Sequence, residues 1–565
     1  MLKKSSFYLI LLIYFSACKP EKTSNTNTLN IRTSSSTNNL NPVTCTSSFS
    51  NYLCLQIFQT LLAFDFESEE LVGVLAESSP KVKKINDNLL ELSFKLREEA
   101  QFDDGKPIMA EDFIFSLKAH LCKGVNSSST RFFQFIKQIE KDSSDSKSFK
   151  VICENLGNAT PFYVGSIYIL DKRVFDAKGY LDSLDLESFL NQEDDSLMNL
   201  FAEQFNSPSF SNQINNIQGT GSYRISQWKE GQQIVLEAKE NWWGKQLEAI
   251  HSYFNVKSKR LSYQTIEDDN TALMALQSGE IDFSTSLGYQ QVEKINQHLI
   301  PFNIESIEKT GYQFIGFNLI HPILKHLEVR RAISYCTPRE LMLKNIFSNQ
   351  GNLTSAPVSA KAYQTYFEKQ FFEFNTDSAK SVLKQAGWKD ANENGILDQV
   401  IDGNLVELTL DYAYNSDNEE RKSVGLFLKQ EAEKVGIQIR LSPYEWQTYN
   451  QKLRNDEFEI FYYAFSTNAL PPDLSRTFHS DGIQRKSNLF GYQNEITDSL
   501  ITAMKFEFDK QSHDELFIKA TQQINNDMPC VFLWSLNEIM VSRPNISMST
   551  SNLRPHYWAP AFVKE

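Results

Sequence analysis

Residues 219–245 read GTGSYRISQWKEGQQIVLEAKENWWGK. Gly219 and Gly221 make a tight backbone passage, Tyr223 and Ile225 alternate behind them, and Lys229-Glu230-Gly231 forms a turn. Ile234, Leu236 and Ala238 then return along one face. Two alternating runs around a glycine turn predict a β-hairpin. The hairpin ends on the paired indoles Trp242 and Trp243 and on Gly244, which suits a strand end packed into a core. A phosphate loop is the competing reading of the two glycines. It fails at the third glycine of the dinucleotide fingerprint, because Ser222, Tyr223 and Arg224 follow Gly221.

Outward from the hairpin the chain alternates strands and helices. Leu29–Arg32 reads as a short strand, Asn39–Pro42 as a turn, and 52–62 as a buried helical run. Leu90, Leu92, Phe94 and Leu96 alternate strictly, as in a half-buried strand. Asp103–Pro107 is a turn before a helix opening at Ala110-Glu111-Asp112, with Phe113 and Leu117 on one face. Residues 181–215, rich in Asn, Gln and acids, read as a polar surface insertion. Ala272–Leu276 is helical and Gly279 turns it into a strand. Tyr312–Asn318 is another strand, followed by a helix from Val329; Thr376-Asp377 caps a further helix that stops at Gly387. Residues 405–465 read strand, helix, strand, which is a βαβ unit of a mixed α/β lobe.

Bulk properties bound the function. With 565 residues the chain holds two to four domains on the usual size range. A hydrophobic content of 41% with 22% charged residues is globular composition. The net charge of -14 argues against nucleic acid as the main partner, since phosphate binding needs a basic face. Of the 41 Phe, 22 Tyr and 7 Trp a large core uses some, and a broad ligand cleft is a place for others.

Lys3 and Lys4, the apolar run Phe7–Phe15 and Ser16-Ala17-Cys18 form an export signal. The run is far short of the about 20 residues of a membrane-crossing helix. Ser16-Ala17-Cys18 resembles a bacterial lipobox, with Phe15 where that motif usually carries Leu. The resemblance implies cleavage after residue 17, lipid on Cys18, and residues 18–30 as a polar tether to the membrane. An ordinary cleaved signal that contains a cysteine is the alternative. Of the six remaining cysteines, Cys122 and Cys153 fall within one probable domain, so they are either a bridge or buried thiols; no spacing fits zinc.

No catalytic or nucleotide signature is present: no GxxxxGK, no GxSxG, no HExxH, and eight scattered histidines. Asp390-Ala-Asn392-Glu-Asn394-Gly395-Ile-Leu-Asp398 matches an EF-hand-type loop at positions 1, 3, 5, 6 and 9 but carries Ile401 at position 12. It reads as an acidic turn, with weak calcium binding as the alternative. Tyr444, Trp446, Tyr462, Tyr463 and Phe465 cluster around the crossover of the βαβ unit. Ligands of open α/β sheets bind beyond the carboxyl ends of strands, so Trp446 and Phe465 are candidate cleft residues.

Six segments in register resemble one family: 94–118, 219–245 and 274–283, then 314–342, 377–398 and 471–501. The first reads FKLREEAQFDDGKPIMAEDFIFSLK and the last PPDLSRTFHSDGIQRKSNLFGYQNEITDSLI. The family is the extracytoplasmic solute-binding proteins of peptide and nickel ABC transporters. The resemblance implies an α/β, two-lobe Venus-flytrap fold with an inserted subdomain. Its expected boundaries are signal peptide 1–17, tether 18–30, lobe I 31–69, subdomain 70–206, lobe I again 207–310, lobe II 311–530 and lobe I 531–565. Hinge crossings are expected near Tyr312–Asn318 and Cys530–Ser535. It further implies a peptide ligand held by Thr46, Ser47, Ser48 and Phe49 from one lobe and by the strand end at Phe465 from the other. Where the family carries Gly-Trp and then an Asp for the peptide's amine, this chain has Ala464-Phe465 and no Asp in place; Asn468 and Asp473 are the candidates that remain. The expected protein is a monomeric, lipid-anchored carrier in the cell envelope. It has no cofactor, metal or chemistry of its own and serves a permease and an ATPase on separate chains. Carriers of nickel chelates or haem, peptide sensors, and an exported hydrolase are the competing readings.

Overall fold

The computed structural model describes residues 28–127, 129–285, 287–297, 301–366, 373–467 and 471–565. Cys18, the signal segment and Asn468 lie outside the described residues.

The hairpin forms from Tyr223–Lys229 and Gln233–Ala238, joined by a turn in which the Gln232 amide donates to the Lys229 carbonyl at 3.0 Å. Gly221 needs to be glycine because of a close approach. Its amide donates to the Ile57 carbonyl at 2.8 Å, and a Cβ there would stand 2.3 Å from the Gln56 carbonyl oxygen. The passage therefore runs directly over the end of the helix Ser48–Ile57. Trp242 and Trp243 are buried, and both indole N–H groups donate to the Thr220 carbonyl, at 2.9 and 3.1 Å. They seal the base of the hairpin into the core, as expected of them.

The hairpin is one edge of a twelve-stranded mixed sheet. Inward from Tyr223–Lys229 the order is Gln233–Ala238, Arg260–Thr265, Thr28–Thr33, Phe283–Ser284 and Cys530–Ser542. Beyond it come Gly311–Phe317, Ile460–Ser466, Thr409–Asn415 and Gln438–Tyr444. The 13-residue strand Cys530–Ser542 joins the two halves. Asn537–Ser542 pairs antiparallel with Asn303–Glu308, whereas Cys530–Trp534 pairs with Gly311–Phe317.

Side chains on each side of this joint serve different cores. Leu29, Ile31, Leu236, Tyr263, Phe283 and Met540 lie in one. In the other half the two-residue period of the strands splits neighbours between the faces: Ile315, Val531 and Leu533 pack on one, Phe314 and Phe532 on the other. The sheet of that half is thus covered on both sides, as parallel strands require. Strands Thr409–Asn415 and Gln438–Tyr444 are parallel and linked by the helix Glu419–Glu433, the expected βαβ unit.

The chain passes between the halves at Lys309–Gly311 and Ser535–Leu536. There the Lys309 amide donates to the Leu536 carbonyl at 2.9 Å and Ser535 Oγ donates to the Gly311 carbonyl at 2.8 Å. These points adjoin the expected crossings, Ser535 falling within the second of them. Tyr312–Phe317 itself is held on both sides by ladders as an interior strand.

A separate four-stranded antiparallel sheet, in the order Lys81–Lys84, Leu89–Lys95, Ser148–Glu154, Ile136–Lys141, is backed by the helix Ala110–Leu121. Residues 181–215 differ from the polar insertion expected of them. They form short helices that bury Phe189, Met198, Phe201, Phe205 and Phe210. Phenylalanines spaced through an Asn- and Gln-rich stretch were enough to build a packed face. The helix expected over 52–62 ends at Ile57, and Leu62–Phe64 is already a strand. The helix expected to be capped at Thr376-Asp377 is capped one residue earlier, where the Asn375 side chain accepts from the Ser378 amide at 2.8 Å. The six described cysteines are free and buried, Cys122 and Cys153 included. Among the described residues no helix is long and apolar enough to cross a membrane.

Candidate functional site

Strands Thr409–Asn415, Gln438–Tyr444 and Ile460–Ser466 run in one direction, so their carboxyl ends share one edge. The last reaches furthest. It pairs with Thr409–Asn415 only through Ile460 and Phe461, and the edge of Tyr463–Ser466 on that side has no strand partner among the described residues. A cavity of about 450 Å³ opens beside it. Its wall on this side includes Tyr312, Tyr463, Phe465–Thr467, Pro471–Leu474, Arg476 and Thr477; the opposite wall is Leu156, Asn158, Ala159 and Tyr163 of the inserted four-stranded unit.

Aromatic packing positions the strand end. The Phe465 ring stacks on Phe314 at 5.5 Å and meets Tyr463 at 5.3 Å and Tyr312 at 5.9 Å. Phe465 stays half-buried, with a face left for a ligand. Across the cavity, burial pushes the Tyr163 hydroxyl pKa up; the Asp473 carboxylate adds to that shift and Arg476 opposes it. The two walls therefore face each other closely.

They also touch. The Asn158 amide donates to the Lys505 carbonyl at 2.9 Å and Asn158 Nδ2 donates to the Glu507 carbonyl at 3.1 Å. Gly157 makes this clasp possible. Its φ is +99°, and a Cβ there would lie 2.2 Å from the Lys505 carbonyl oxygen. On another side Arg554 donates to Ser466 Oγ at 2.5 Å, tying the C-terminal segment to the strand end.

Of the residues proposed from sequence, Phe465 and Asp473 line this cavity. Asp473 is exposed, and its Oδ1 accepts the Ser475 amide at 2.8 Å. Trp446 does not line it. The side chain is 43% exposed at the start of the helix Trp446–Arg454, with Arg421 5.6 Å over its ring. Thr46, Ser47, Ser48 and Phe49 lie elsewhere as well. Ser47 caps the helix Ser48–Ile57, its Oγ accepting the Ser50 amide at 3.0 Å, and Phe49 packs edge-on against Tyr263 at 5.7 Å. Tyr462, from the aromatic cluster, is buried and hydrogen-bonds Gln313 through its hydroxyl.

Sequence reading missed Tyr163, Asn158, Arg454, Arg476 and Lys505. They stand singly in loops or at helix ends, where no periodicity marks them. The Asp390–Asp398 turn is built from its own backbone amides: Asp390 accepts from Asn394 and Gly395, at 3.1 and 2.9 Å. Among the described residues no cluster of three or more His, Cys, Asp or Glu side chains suits a metal.

Residues 70–484 match the family described as bacterial extracellular solute-binding proteins, family 5 Middle. The chain is 26% identical over 494 residues to the oligopeptide-binding protein AppA of Bacillus subtilis, covering 86% of this chain and 82% of AppA. It is 21% identical over 554 residues to heme-binding protein A of Haemophilus influenzae, covering 92% of this chain and 91% of that protein. The structure of Bacillus subtilis AppA in complex with a nonapeptide superposes with a TM-score of 0.65 at 22% identity, over 95% of this chain and 99% of that one. The two-lobe periplasmic-binding-protein fold expected from the six segments is therefore the fold of this molecule. With most of its length inside the family match, the chain belongs to the bacterial extracellular solute-binding proteins, family 5.

Proposed function

We propose that this protein captures oligopeptides in the interlobe cavity and delivers them to an ABC importer whose permease and ATPase are separate chains. The observation that carries the reading is the free strand edge at Tyr463–Ser466 beside a cavity walled by the second lobe and the inserted unit. An extended peptide adds to such an edge through main-chain hydrogen bonds, which are indifferent to sequence. Water in a roomy cavity then tolerates varied side chains. The relative named oligopeptide-binding protein, and its structure with a nonapeptide, support the same ligand class. Closure about the two crossings brings the inserted unit onto the second lobe, and the Asn158–Lys505 clasp is the contact that closure makes.

The protein acts as a monomer tethered to the membrane by lipid on Cys18, facing the periplasm or the cell exterior. It performs no chemistry on its ligand. The lobe assignments 31–69, 207–310 and 531–565 against 311–530, with 70–206 inserted, belong to this reading, as does Asn468 as a ligand contact.

Native mass spectrometry of protein purified without denaturation tests it. A spread of peptide masses, released on unfolding, is the expected result. A single defined mass of haem or of a metal chelate would overturn it in favour of a haem or metal-chelate carrier, and the heme-binding relative supports the first of these.

A further inference from the structure

The charge of the cavity opposes that of the chain. The protein carries 70 Asp and Glu against 56 Lys and Arg. The cavity lining holds five cationic side chains, Arg454, Arg476, Arg485, Lys486 and Lys505, and one carboxylate, Asp473. A surface that merely sampled the composition would be acidic here.

Two of the five cations have partners behind the wall: Lys486 reaches Asp456 at 3.5 Å and Arg485 reaches Asp481 at 3.9 Å. Arg454, Arg476 and Lys505 make no ion pair among the described residues. Arg454 and Lys505 sit in the last turns of the helices Trp446–Arg454 and Glu495–Lys505. Helix carboxyl ends favour a cation there, but a partial charge does not neutralise it. Arg476 lies in a turn with no such support, opposite Tyr163. Lys505 is half-buried with its ammonium 5.6 Å over the Phe506 ring. The three come from separate segments and converge on one concave space with aromatic walls. Such a cleft focuses a positive potential.

We propose that the cavity selects anionic peptides, those rich in Asp or Glu side chains, over neutral and basic ones. This rests on the peptide reading above and adds the ligand's charge to it. Arginine forks match carboxylates in bidentate geometry, so Arg454 and Arg476 recognise acidic side chains and Lys505 supplies a point charge at the clasp. A lysine-rich peptide meets like charge on the same wall.

Calorimetry with three pentapeptides at low ionic strength tests the proposal: pentaalanine, and pentaalanine with its second and fourth residues changed to glutamate or to lysine. The expected result is an acidic peptide bound at least about tenfold tighter than the neutral one and the basic peptide weakest, with the spread shrinking in high salt. Arg476→Gln combined with Lys505→Gln is expected to bring the acidic and neutral peptides together; if that variant melts early, Arg454→Gln at an exposed helix end is expected to narrow the gap in the same direction. Equal affinity for all three peptides, or tightest binding of the basic one, overturns the charge selection while peptide capture stands. Binding of none of the three overturns both.

Discussion

Gly157→Ala probes the clasp between the inserted unit and the second lobe. Gly157 has φ +99°, and the added methyl would stand 2.2 Å from the Lys505 carbonyl oxygen. Ordinary contact needs about 3.4 Å or more, so the walls must part by roughly 1 Å where they meet. That separation removes the two hydrogen bonds from Asn158 to the Lys505 and Glu507 carbonyls. At about 1 kcal/mol net each, the closed form loses about 2 kcal/mol relative to the open form. If ligand is held in the closed form, peptide affinity falls about thirtyfold. A further strain of about 1–2 kcal/mol for alanine at positive φ falls on the loop in both forms and lowers the melting temperature without touching the closure equilibrium. The two effects separate by assay. Calorimetry reads the affinity, small-angle scattering with and without peptide reads closure, and thermal melting reads the loop strain. Asn158→Ala, which loses only the side-chain bond, is expected to weaken binding about fivefold with little change in melting. Unchanged peptide affinity in Gly157→Ala would refute the reasoning and show that the contact takes no part in holding ligand.

Phe465→Ala is expected to weaken peptide binding about tenfold, because it removes a half-buried ring from the cavity wall, while Trp446→Ala leaves affinity within about twofold; calorimetry showing the reverse would move the cleft. His120 is buried in the inserted unit, and burial pushes its imidazole down to about 4 from an ordinary value of 6.5. The unfolded chain therefore binds the extra proton first, and stability from this group, full above pH 6.5, is lost as pH falls from 6.5 towards 4. The stability difference between the wild type and His120→Gln should shift in favour of the variant across that window by up to about 3 kcal/mol in urea melts; a pH-independent difference would contradict it. Gly221→Ala places a methyl 2.3 Å from the Gln56 carbonyl and is expected to cost about 1–3 kcal/mol by the same assay, since the helix end must shift; a neutral result would mean the passage is looser than described.

Much of the fold was legible before any coordinates. The alternation of Leu90, Leu92, Phe94 and Leu96 is a strand because a two-residue period and one buried face leave no other solution. The βαβ unit at 409–444 was legible for the same kind of reason, as the helix from Glu419 and the strand from Gln438 change period in the right order. The glycines of the opening stretch, which a phosphate loop would also carry, serve the close passage over Gln56 and Ile57. Residues 181–215 misled because average polarity hid five well-spaced apolar side chains, and spacing is what builds a packed face.

The site was legible only in part. Phe465 and Asp473 could be placed from the end of a strand and a family pattern. Thr46–Phe49 and Trp446 were equally plausible on the same grounds, and the structure leaves them outside the cavity lining. By itself the sequence determined most of the strands and helices and their alternation, since these follow from periods and turns that neighbouring residues set among themselves, and the resemblance of six segments pointed to the family. Only the tertiary structure decided that Tyr163 faces Arg476, that Asn158 clasps Lys505, and that cations from three segments share one concavity in an acidic protein. Asn158 and Lys505, like Tyr163 and Arg476, lie more than three hundred residues apart, and no local spacing records a meeting that the packing of the inserted unit against the second lobe brings about.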